Sequence, residues 1–450
     1  MRILTKHIDP TPVIPSHCQW SAWNDLIDVD DQNLVIFNTM AQTAVLMHKS
    51  EHLPIDELPE ASASLLFSLG MIVPIGTDEH AIVEQQFATG KNDMSYIDLT
   101  ILLTRQCQFR CVYCFEGTKK EENLEDRTSD DLLAFLEDQS STLKKLRVTW
   151  FGGEPLIAYP MLKRLSERLM SFCEKHHVQY TADMVTNGYA LSKERCHELC
   201  HTLNIRRYII TLDGPSGFHD RRRPLRSGLP TFDKIWENIT TLVDMGAFIT
   251  IRMTIDKENV HAIPALLDEI ARSPFARKVG LSFCRTMDYG FTPDTVKSVM
   301  YTDKEFADIE WDLIQYAHRL KMWQYRFPHS APLGGCLRKG DIVMGTKGEI
   351  YKCLDTVGDQ QWESGNISGN ALEKVPAWYE RWLSWSPSQS ASCRKCVLQP
   401  LCNGGCPHNA IFTDKKHGTA TQCPEWKANY QRQIIELARE YLKNTIPYEH

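Results

Sequence analysis

The feature that most constrains this chain is a series of ten cysteines that fall into two sets, each with short gaps typical of metal ligands. The first set is Cys107-x3-Cys111-x2-Cys114, directly after the apolar run Ile97–Thr104. Cysteine thiolates are the usual ligands of iron–sulfur clusters, and three of them leave one iron of a [4Fe–4S] cluster open. Seven more thiolates can hold two further clusters, so the pattern predicts one-electron chemistry. The second set comprises Cys336, Cys353, Cys393, Cys396, Cys402, Cys406 and Cys423.

Cysteine-rich chains are either secreted disulfide frameworks or metal proteins. Here the count of 15 cysteines is odd, the chain has 450 residues, and Met1–His7 contain no apolar signal region. The close spacing Cys393-x2-Cys396 suits metal ligation. We therefore expect a cytoplasmic metal protein. Zinc is the plainer alternative at the first set, but it prefers four Cys or mixed Cys and His ligands, and His176 and His177 offer no obvious local partner.

Charge and hydropathy narrow the possible partners. The formal net charge is −7, which gives no general bias toward nucleic acid. No uninterrupted apolar stretch of about 18 residues appears, so we expect no membrane span. The length predicts two to four domains.

Changes in pattern divide the chain into three predicted domains. Residues 1–95 lack cluster motifs and predict a small winged-helix-like domain. Residues 96–328 alternate strands with amphipathic helices, and residues 329–450 are rich in Gly, Pro and Cys, as expected of a lobe organised around metal. In the first domain the predicted elements are a strand at Leu34–Asn38, helices at Met40–His48 and Ala61–Gly70, and a strand at Met71–Ile75.

Six β–α units in the middle domain predict a parallel sheet covered by helices. Six units are too few for an eight-stranded barrel, so an incomplete (β/α)6 barrel fits better than an open sheet. Functional residues then lie on loops at the carboxyl ends of the strands. The predicted strands are Ile97–Thr104, Leu146–Phe151, Thr181–Thr186, Tyr208–Leu212, Phe248–Ile255 and Val279–Phe283. The predicted helices are Ser129–Lys144, Pro160–His176, Ser192–Leu203, Phe232–Met245 and Val260–Arg272, followed by Asp303–Tyr325 and a closing helix Glu425–Asn444.

Four further motifs follow the second to fourth strands. Glycines in Gly152-Gly-Glu-Pro155 let backbone approach a ligand closely, and the acid can accept a hydrogen bond from an ammonium group. Thr186-Asn-Gly188 and Thr211-Leu-Asp213-Gly214 end the next two strands, and each motif is also consistent with an ordinary turn. The basic run His219–Arg223 is either a solvated surface or an anchor for a carboxylate.

Cys107-Gln-Phe-Arg-Cys111-Val-Tyr-Cys114 resembles the signature of the radical S-adenosylmethionine (SAM) superfamily. The seven-cysteine set resembles the SPASM pattern of its peptide- and protein-modifying members. The resemblance implies an α/β fold, with a partial TIM-like radical SAM barrel at 96–328 and a SPASM iron–sulfur domain at 329–450. It implies SAM and three [4Fe–4S] clusters as cofactors, one binding SAM and two auxiliary, and hydrogen abstraction by a 5′-deoxyadenosyl radical.

The resemblance also implies roles for single residues. The SAM-binding residues would be Tyr113, Gly152, Gly153, Glu154, Pro155, Asn187, Thr211, Asp213 and Arg252. The distal auxiliary cluster would be held by Cys393, Cys396, Cys402 and Cys423, and the proximal one by Cys336, Cys353 and Cys406.

The proximal set has only three ligands by this count. Some relatives supply a fourth from a cysteine shortly before the first, but residues Ser330–Gly335 contain none. One iron of the proximal cluster therefore has an open coordination site, or it takes a distant ligand such as Cys284. Asp355 is the candidate proton acceptor, although some relatives place this acid directly after the cysteine, where this chain has Leu354. An ordinary loop aspartate is the alternative.

Together these features imply a radical SAM oxidoreductase that matures a ribosomally made precursor peptide. The product would be a thioether or carbon–carbon cross-link, or another oxidised residue. The N-terminal domain would bind the leader as an added strand, and a reductant such as flavodoxin or ferredoxin would supply electrons. A sulfatase-maturing enzyme that generates formylglycine and a non-catalytic cluster-bearing partner are the alternatives. The sequence leaves the substrate, the bond formed and the oligomeric state open.

Overall fold

The computed structural model describes residues 1–5, 17–114, 121–288, 292–329, 336–368, 375–412 and 423–443. The segment Ser330–Gly335 and the last residue of the predicted closing helix, Asn444, lie outside these ranges.

A parallel sheet forms the centre of the molecule, and six of its described strands follow one another in chain order. Each of the six pairs in parallel with its sequence neighbour. The six predicted strands are confirmed within a few residues at either end. Their bounds are Tyr96–Leu102, Lys145–Phe151, Gln179–Thr186, Ile205–Thr211, Phe248–Ile255 and Val279–Arg285.

Helices cover one face of this sheet. Apolar side chains at alternate strand positions, such as Ile97, Leu99 and Ile101, are fully buried in a core shared with the helices. The predicted helices are present, although the one starting at Asp303 ends at Arg319 rather than Tyr325. The bounds are Asp126–Gln139, Tyr159–Lys175, Lys193–His197 continued as a π-helix over Glu198–Thr202, Ser216–Arg222, Phe232–Asp244, Ile263–Arg272, Asp294–Lys297 and Asp303–Arg319.

A ladder of ion pairs crosses the first four of the six strands. Arg147 contacts Asp98 at 3.4 Å and Asp183 at 2.5 Å, and Arg207 contacts Asp183 at 2.8 Å. These positions alternate with the fully buried apolar ones, so charged side chains occupy the face opposite the helices. A doubly covered sheet has apolar residues on both faces. The sheet is therefore barrel-like, as the predicted incomplete barrel requires.

The C-terminal region extends the same sheet at its other edge. Asp341–Met344 pairs in parallel with Tyr96–Leu102, and two short antiparallel strands, Glu349–Tyr351 and Gly365–Asn366, follow. Beyond them the region consists of short helices around the remaining cysteines. Their bounds are Ala377–Ser384, Ala391–Arg394, Gln399–Cys402 and Pro407–Ile411, and the closing helix is Tyr430–Leu442.

The described residues of the N-terminal region form a four-stranded antiparallel sheet, a two-stranded ribbon and two α-helices. The sheet order is Arg2–Ile3, Thr43–His48, Asn33–Asn38 and Asn24–Asp28. The ribbon joins Cys18–Trp20 to Ile72–Pro74, and the helices are Glu60–Ser68 and Glu79–Asn92.

The helix predicted at Met40–His48 is wrong, because Thr43–His48 is a strand. Both faces of the sheet are covered. Val35 packs in a cluster with Ile434 of the closing helix, and Ile36 packs on the other side with Leu66. A strand buried on both faces is continuously apolar and loses the alternation that distinguishes a strand from a buried helix.

None of the described helices is long and apolar enough to cross a membrane.

Candidate active site

One cavity of about 510 Å³ brings together residues from both cysteine sets. Its wall combines the loop after the first central strand, the ends of the next strands and parts of the C-terminal region. The predicted site residues in its wall are Cys107, Cys111, Tyr113, Cys114, Gly152, Gly153, Asn187, Thr211, Arg252, Cys353, Asp355, Cys406 and Cys423. The predicted residues outside the wall are Glu154, Pro155, Asp213, Cys336, Cys393, Cys396 and Cys402.

The first cysteine loop is held by a second segment of backbone. Arg110 N donates to Pro224 O at 2.9 Å, and Val112 N donates to Arg222 O at 3.0 Å. Cys107, Cys111 and Cys114 form no disulfide, and all three line the same cavity. Three thiols at one cavity are the donor set that a three-thiolate cluster needs, so these residues fit a [4Fe–4S] group. Among the described residues, no three Cys, His, Asp or Glu side chains form a group that holds a single metal ion.

The two glycines of Gly152-Gly-Glu-Pro155 lie directly against the strand end that leads into this loop. Gly153 N donates to Thr104 O at 2.9 Å, and a Cβ at Gly152 would collide with the same carbonyl. A Cβ at Gly153 would collide with Gln106 O. Gly152 also has φ +133°, a conformation that residues with a side chain rarely adopt. The glycines therefore fix the distance between the second strand and the first cysteine loop.

Glu154 is fully buried, and its carboxylate is engaged by the protein itself. It accepts from Thr186 Oγ1 at 2.7 Å, Asn187 N at 2.7 Å and Leu156 N at 3.1 Å. Burial raises the pKa of this carboxyl group above its usual value. The side chain thus connects the second-strand motif to Thr186-Asn-Gly188, while the two glycines before it face the cavity.

Asn187 links this arrangement to the first cysteine. Its Nδ2 lies 3.9 Å from Cys107 Sγ, and its Oδ1 accepts from Tyr189 N at 3.0 Å. The turn predicted at Thr186-Asn-Gly188 is therefore part of the wall beside the cysteine loop.

The predicted basic loop His219–Arg223 is in fact largely buried. It lies mainly on the helix Ser216–Arg222, and His219, Arg222 and Arg223 are each less than a tenth exposed. Burial lowers the pKa of His219 well below its usual value, so the imidazole is neutral. The solvated-surface interpretation is wrong for these three residues.

Arg223 and Tyr113 form a connected pair in the cavity wall. Arg223 donates to Tyr113 OH at 2.8 Å, and that hydroxyl donates to the buried Asp213. Asp213 also accepts from Thr254 N at 2.9 Å, so its carboxylate lies behind the wall and orients Tyr113. Burial raises the pKa of Tyr113, which keeps the phenol protonated.

The sequence analysis named Arg223 only as part of the basic run His219–Arg223, a candidate anchor for a carboxylate. Its buried Nε has no hydrogen-bond acceptor among the described residues. Only the fold shows that it faces the cavity. The helical spacing of the basic run was the available signal, because it separates inward from outward arginines.

Three cysteines of the predicted distal set meet at Lys427. The Lys427 ammonium donates to Cys396 Sγ at 3.2 Å and to Cys423 Sγ at 3.8 Å. Burial raises the pKa of Cys402 to about 11, and both Cys423 and Cys396 add to the rise while Lys427 opposes it. Cys393 lies one turn before Cys396, whose backbone N donates to Cys393 O at 3.0 Å.

The predicted proximal set is also brought together. Burial raises the pKa of Cys336 to about 12, and the neighbouring Cys406 adds to that rise. Burial raises the pKa of Cys353 as well, and the nearby charge of Asp355 and the neighbouring Cys336 add to that rise. Asp355 therefore lies beside this set, in the same cavity wall. Cys284 faces the cavity too and remains the alternative fourth ligand.

Comparison with known proteins finds a family match in the central part of the chain. Residues 101–270 match the radical SAM superfamily. A serine-type anaerobic sulfatase-maturating enzyme of Bacteroides thetaiotaomicron is 24% identical over 343 residues, covering 67% of this chain and 80% of that protein. Mycofactocin maturase MftC of Mycobacterium tuberculosis is 26% identical over 349 residues, covering 73% of this chain and 82% of that protein.

Solved structures show the same fold. The anaerobic sulfatase-maturating enzyme anSMEcpe with bound AdoMet and the Cp18Cys peptide has a TM-score of 0.59 at 17% identity, covering 76% of this chain and 99% of that one. Streptococcus suis SuiB bound to its precursor peptide SuiA has a TM-score of 0.52 at 14% identity, covering 90% and 99%. The architecture is thus that of the radical SAM α/β fold with a partial barrel-like sheet.

Proposed function

We propose that this chain, which carries a radical SAM domain, is a peptide or protein maturase that removes hydrogen from a residue of its substrate. Membership of that superfamily implies a [4Fe–4S] cluster and SAM, which together supply a 5′-deoxyadenosyl radical. The observation that supports the proposal is the single cavity shared by Cys107, Cys111 and Cys114 with Cys353, Cys406 and Cys423. Such a cavity allows a substrate residue to contact both the radical source and an electron acceptor.

The proposed roles of the cavity residues follow from their positions. Cys107, Cys111 and Cys114 would hold the cluster, and the backbone of Gly152 and Gly153, which lines the cavity without a side chain, would contact SAM. Arg223 and Arg252 place two cations in the same wall, suited to a carboxylate. Glu154 and Asp213 orient their neighbours rather than contacting the ligand. Thr211, Asn187 and Tyr113 complete the SAM side, whereas Pro155 is buried and begins the following short helix.

The two auxiliary clusters belong to the C-terminal region. The proximal one takes Cys336, Cys353 and Cys406, and the distal one takes Cys393, Cys396, Cys402 and Cys423. The convergence of Cys396, Cys402 and Cys423 around Lys427 supports the distal set. Their proposed task is to accept the electron released when the substrate radical is oxidised.

The substrate we propose is a precursor peptide whose leader binds the N-terminal region. Asn24–Asp28 is the outer strand of the N-terminal sheet, and Leu26 on this strand is 51% exposed. An outer strand with unpaired backbone groups accepts an added peptide strand. SuiB, whose fold is similar over 90% of this chain, was solved with a precursor peptide bound.

Formylglycine generation is the second candidate. Two observations favour it: the similarity to sulfatase-maturating enzymes and the position of Asp355 in the cavity wall beside Cys353. There Asp355 would accept the proton lost from the substrate. A hydrazide reagent distinguishes the two products, since it labels a formylglycine aldehyde and leaves a cross-link unlabelled.

The first test is SAM cleavage with a chemical reductant. The anaerobically purified protein, given SAM and dithionite, should release 5′-deoxyadenosine, and Cys111→Ala should reduce release to background. Cys18→Ala, a substitution in the N-terminal ribbon, is the matched control and should retain full release. Undiminished release from Cys111→Ala would refute the assigned site.

Iron content tests the auxiliary clusters separately. Three [4Fe–4S] clusters correspond to about 12 iron atoms per chain, and Cys111→Ala should retain about 8 of them. A content of about 4 in the unaltered protein would exclude the two auxiliary clusters.

A further inference from the structure

We propose that a surface beside the first cysteine loop, formed by Arg110, Val112, Arg226 and Leu229 and here called the arginine patch, is the docking site of a small acidic electron-carrier protein. The inference rests on the proposed function, because the carrier supplies the electron that the cluster of this loop requires.

Backbone contacts place the four residues of the arginine patch side by side. The loop that carries Cys107 and Cys111 runs antiparallel to residues 222–226, with a bridge between Phe109 and Leu225. Arg226 N donates to Gln108 O at 2.8 Å, and Leu225 N donates to Leu229 O at 3.1 Å. These contacts are made by backbone atoms, so the side chains of Arg110 and Arg226 are not needed to hold the cysteine loop.

The cysteine loop alternates between an inner and an outer side. Phe109 and Tyr113 face the cavity, whereas Arg110 and Val112 are exposed between them. Val112 is 44% exposed although it separates two of the cysteines. The outer side of the loop is thus a solvent-facing surface only one residue away from Cys111.

The charge of the arginine patch has no counterpart among the residues that the structure describes. Neither Arg110 nor Arg226 has an ion pair or side-chain hydrogen bond with any described residue. The buried Arg222, by contrast, pairs with Asp256 at 2.7 Å. Exposed cations without an intramolecular partner, in a chain of net charge −7, mark a local positive surface.

Leu229, next to these arginines, is 59% exposed. An exposed aliphatic residue beside unpaired arginines is the composition of a contact surface, with an apolar centre and a charged rim. An acidic carrier matches it in charge and is steered toward the cysteine loop at a rate that falls with salt. Electron-transfer interfaces are small and transient, which suits four residues.

The proposed reaction transfers one electron from the carrier to the cluster and transfers no atoms. A reduced flavodoxin loses one electron as its anionic flavin hydroquinone becomes the neutral semiquinone, and the cluster gains that electron. No proton or covalent bond changes hands. Dithionite delivers an electron as a small molecule and needs no docking surface.

The test compares the two reductants on the full-length protein with its clusters. In the variant Arg110→Glu/Arg226→Glu, the apparent KM for reduced flavodoxin in 5′-deoxyadenosine release should rise about tenfold or more, because like charges now face each other. The rate with dithionite should stay unchanged. The salt dependence of the flavodoxin-driven rate, between about 0.05 M and about 0.5 M salt, should weaken.

The matched control is Arg277→Glu, an exposed arginine just before the last central strand and thus at the opposite end of the sheet. It should leave the KM for flavodoxin and the rate with dithionite unchanged. An unchanged KM for flavodoxin in the double variant would overturn the docking site, and so would an equal loss with both reductants. Failure of the unaltered protein to cleave SAM with dithionite would instead refute the proposed function.

Discussion

At the scale of single residues, Lys427 is the most informative side chain outside the cavity. Its ammonium contacts the sulfurs of Cys396 and Cys423, which come from two separate segments of the C-terminal region. Reduction potentials of iron–sulfur clusters depend on the net charge nearby and on hydrogen bonds to the sulfurs. A cation in this position favours the reduced, more negative state.

Replacing Lys427 with Met should therefore shift the midpoint potential of the proposed distal auxiliary cluster to more negative values. A redox titration followed by electron paramagnetic resonance measures the shift. Lys395→Met is the control, because Lys395 lies between Cys393 and Cys396 but is exposed, so water screens its charge and its replacement should shift the potential much less. Lys427→Arg, which keeps the charge, should restore most of the potential. A shift to more positive values in Lys427→Met would contradict the assignment.

Single residues also show where sequence reasoning ends. The cysteine spacings predicted two clustered groups, and the described residues bring Cys396, Cys402 and Cys423 together as that prediction requires. The SAM contact expected of Glu154 stays a prediction, whereas the hydrogen bonds that its oxygens accept from Thr186 and Asn187 had no signal in the motif. A motif states which residue types occur, but the direction of a side chain depends on neighbours that are distant in sequence.

At the scale of elements, the turn after the second central strand determines how closely that strand approaches the first cysteine loop. Two successive glycines lie against the backbone carbonyls of Thr104 and Gln106. The loop that carries Cys107 therefore rests on this turn, and a small change here displaces a proposed cluster ligand.

Gly153→Ala should destabilise the fold by about 1–3 kcal/mol, since the added methyl group forces backbone apart in a packed region. It should also lower the iron content by up to one cluster. Denaturant unfolding and iron analysis measure both effects. Gly217→Ala is the control, because a Cβ at this helical position would make only an ordinary contact with Arg221 Nη1 at 3.9 Å, so the substitution should be neutral or stabilising by up to about 1 kcal/mol. Equal behaviour of the two variants would rule out the close packing as the cause.

The elements of the central sheet were predictable because each strand has one apolar face and each helix an apolar stripe. Two other segments lacked such a signal. Thr43–His48 is apolar on both faces and was assigned to a helix. His219–Arg223 has the composition of a solvated surface, but the network of Tyr113, Asp213 and Asp256 compensates its buried charges. These contacts span up to 110 residues of sequence, beyond any local pattern.

At the scale of the whole molecule, Arg285 connects the barrel to the C-terminal region. It lies at the end of the last central strand with a side chain only 2% exposed, and it pairs with Asp303 and, at 2.8 Å, with Glu425. Glu425 follows Cys423 by two residues, so the ion pair holds the distal set against the barrel. Burial raises the pKa of Glu425 above its usual value.

Arg285→Met should destabilise the protein by about 2–3 kcal/mol at neutral pH, below the full cost of a buried unpaired charge because both carboxylates are partly exposed. The difference in unfolding free energy between the variant and the unaltered protein should shrink as the pH falls toward about 4.5. A raised pKa means that the folded state binds the proton more tightly, and a protonated carboxyl group needs no cation. Urea unfolding at both pH values checks this.

Arg164→Met breaks an exposed pair with Asp126 and should cost less than about 1 kcal/mol. A pH-independent loss in Arg285→Met would show that packing, rather than charge, is responsible.

The cavity wall begins at Cys107 and is completed only by Glu425, close to the end of the 450-residue chain. During synthesis, the first cysteine loop therefore leaves the ribosome long before the segments that cover it. The enclosure is finished only when the C-terminal region adds its strands beside Tyr96–Leu102. Delivery of iron and sulfide to the first loop, which we propose to hold a cluster, thus has an open period before that step. A truncated chain that ends before Asp341 would stay in that open state.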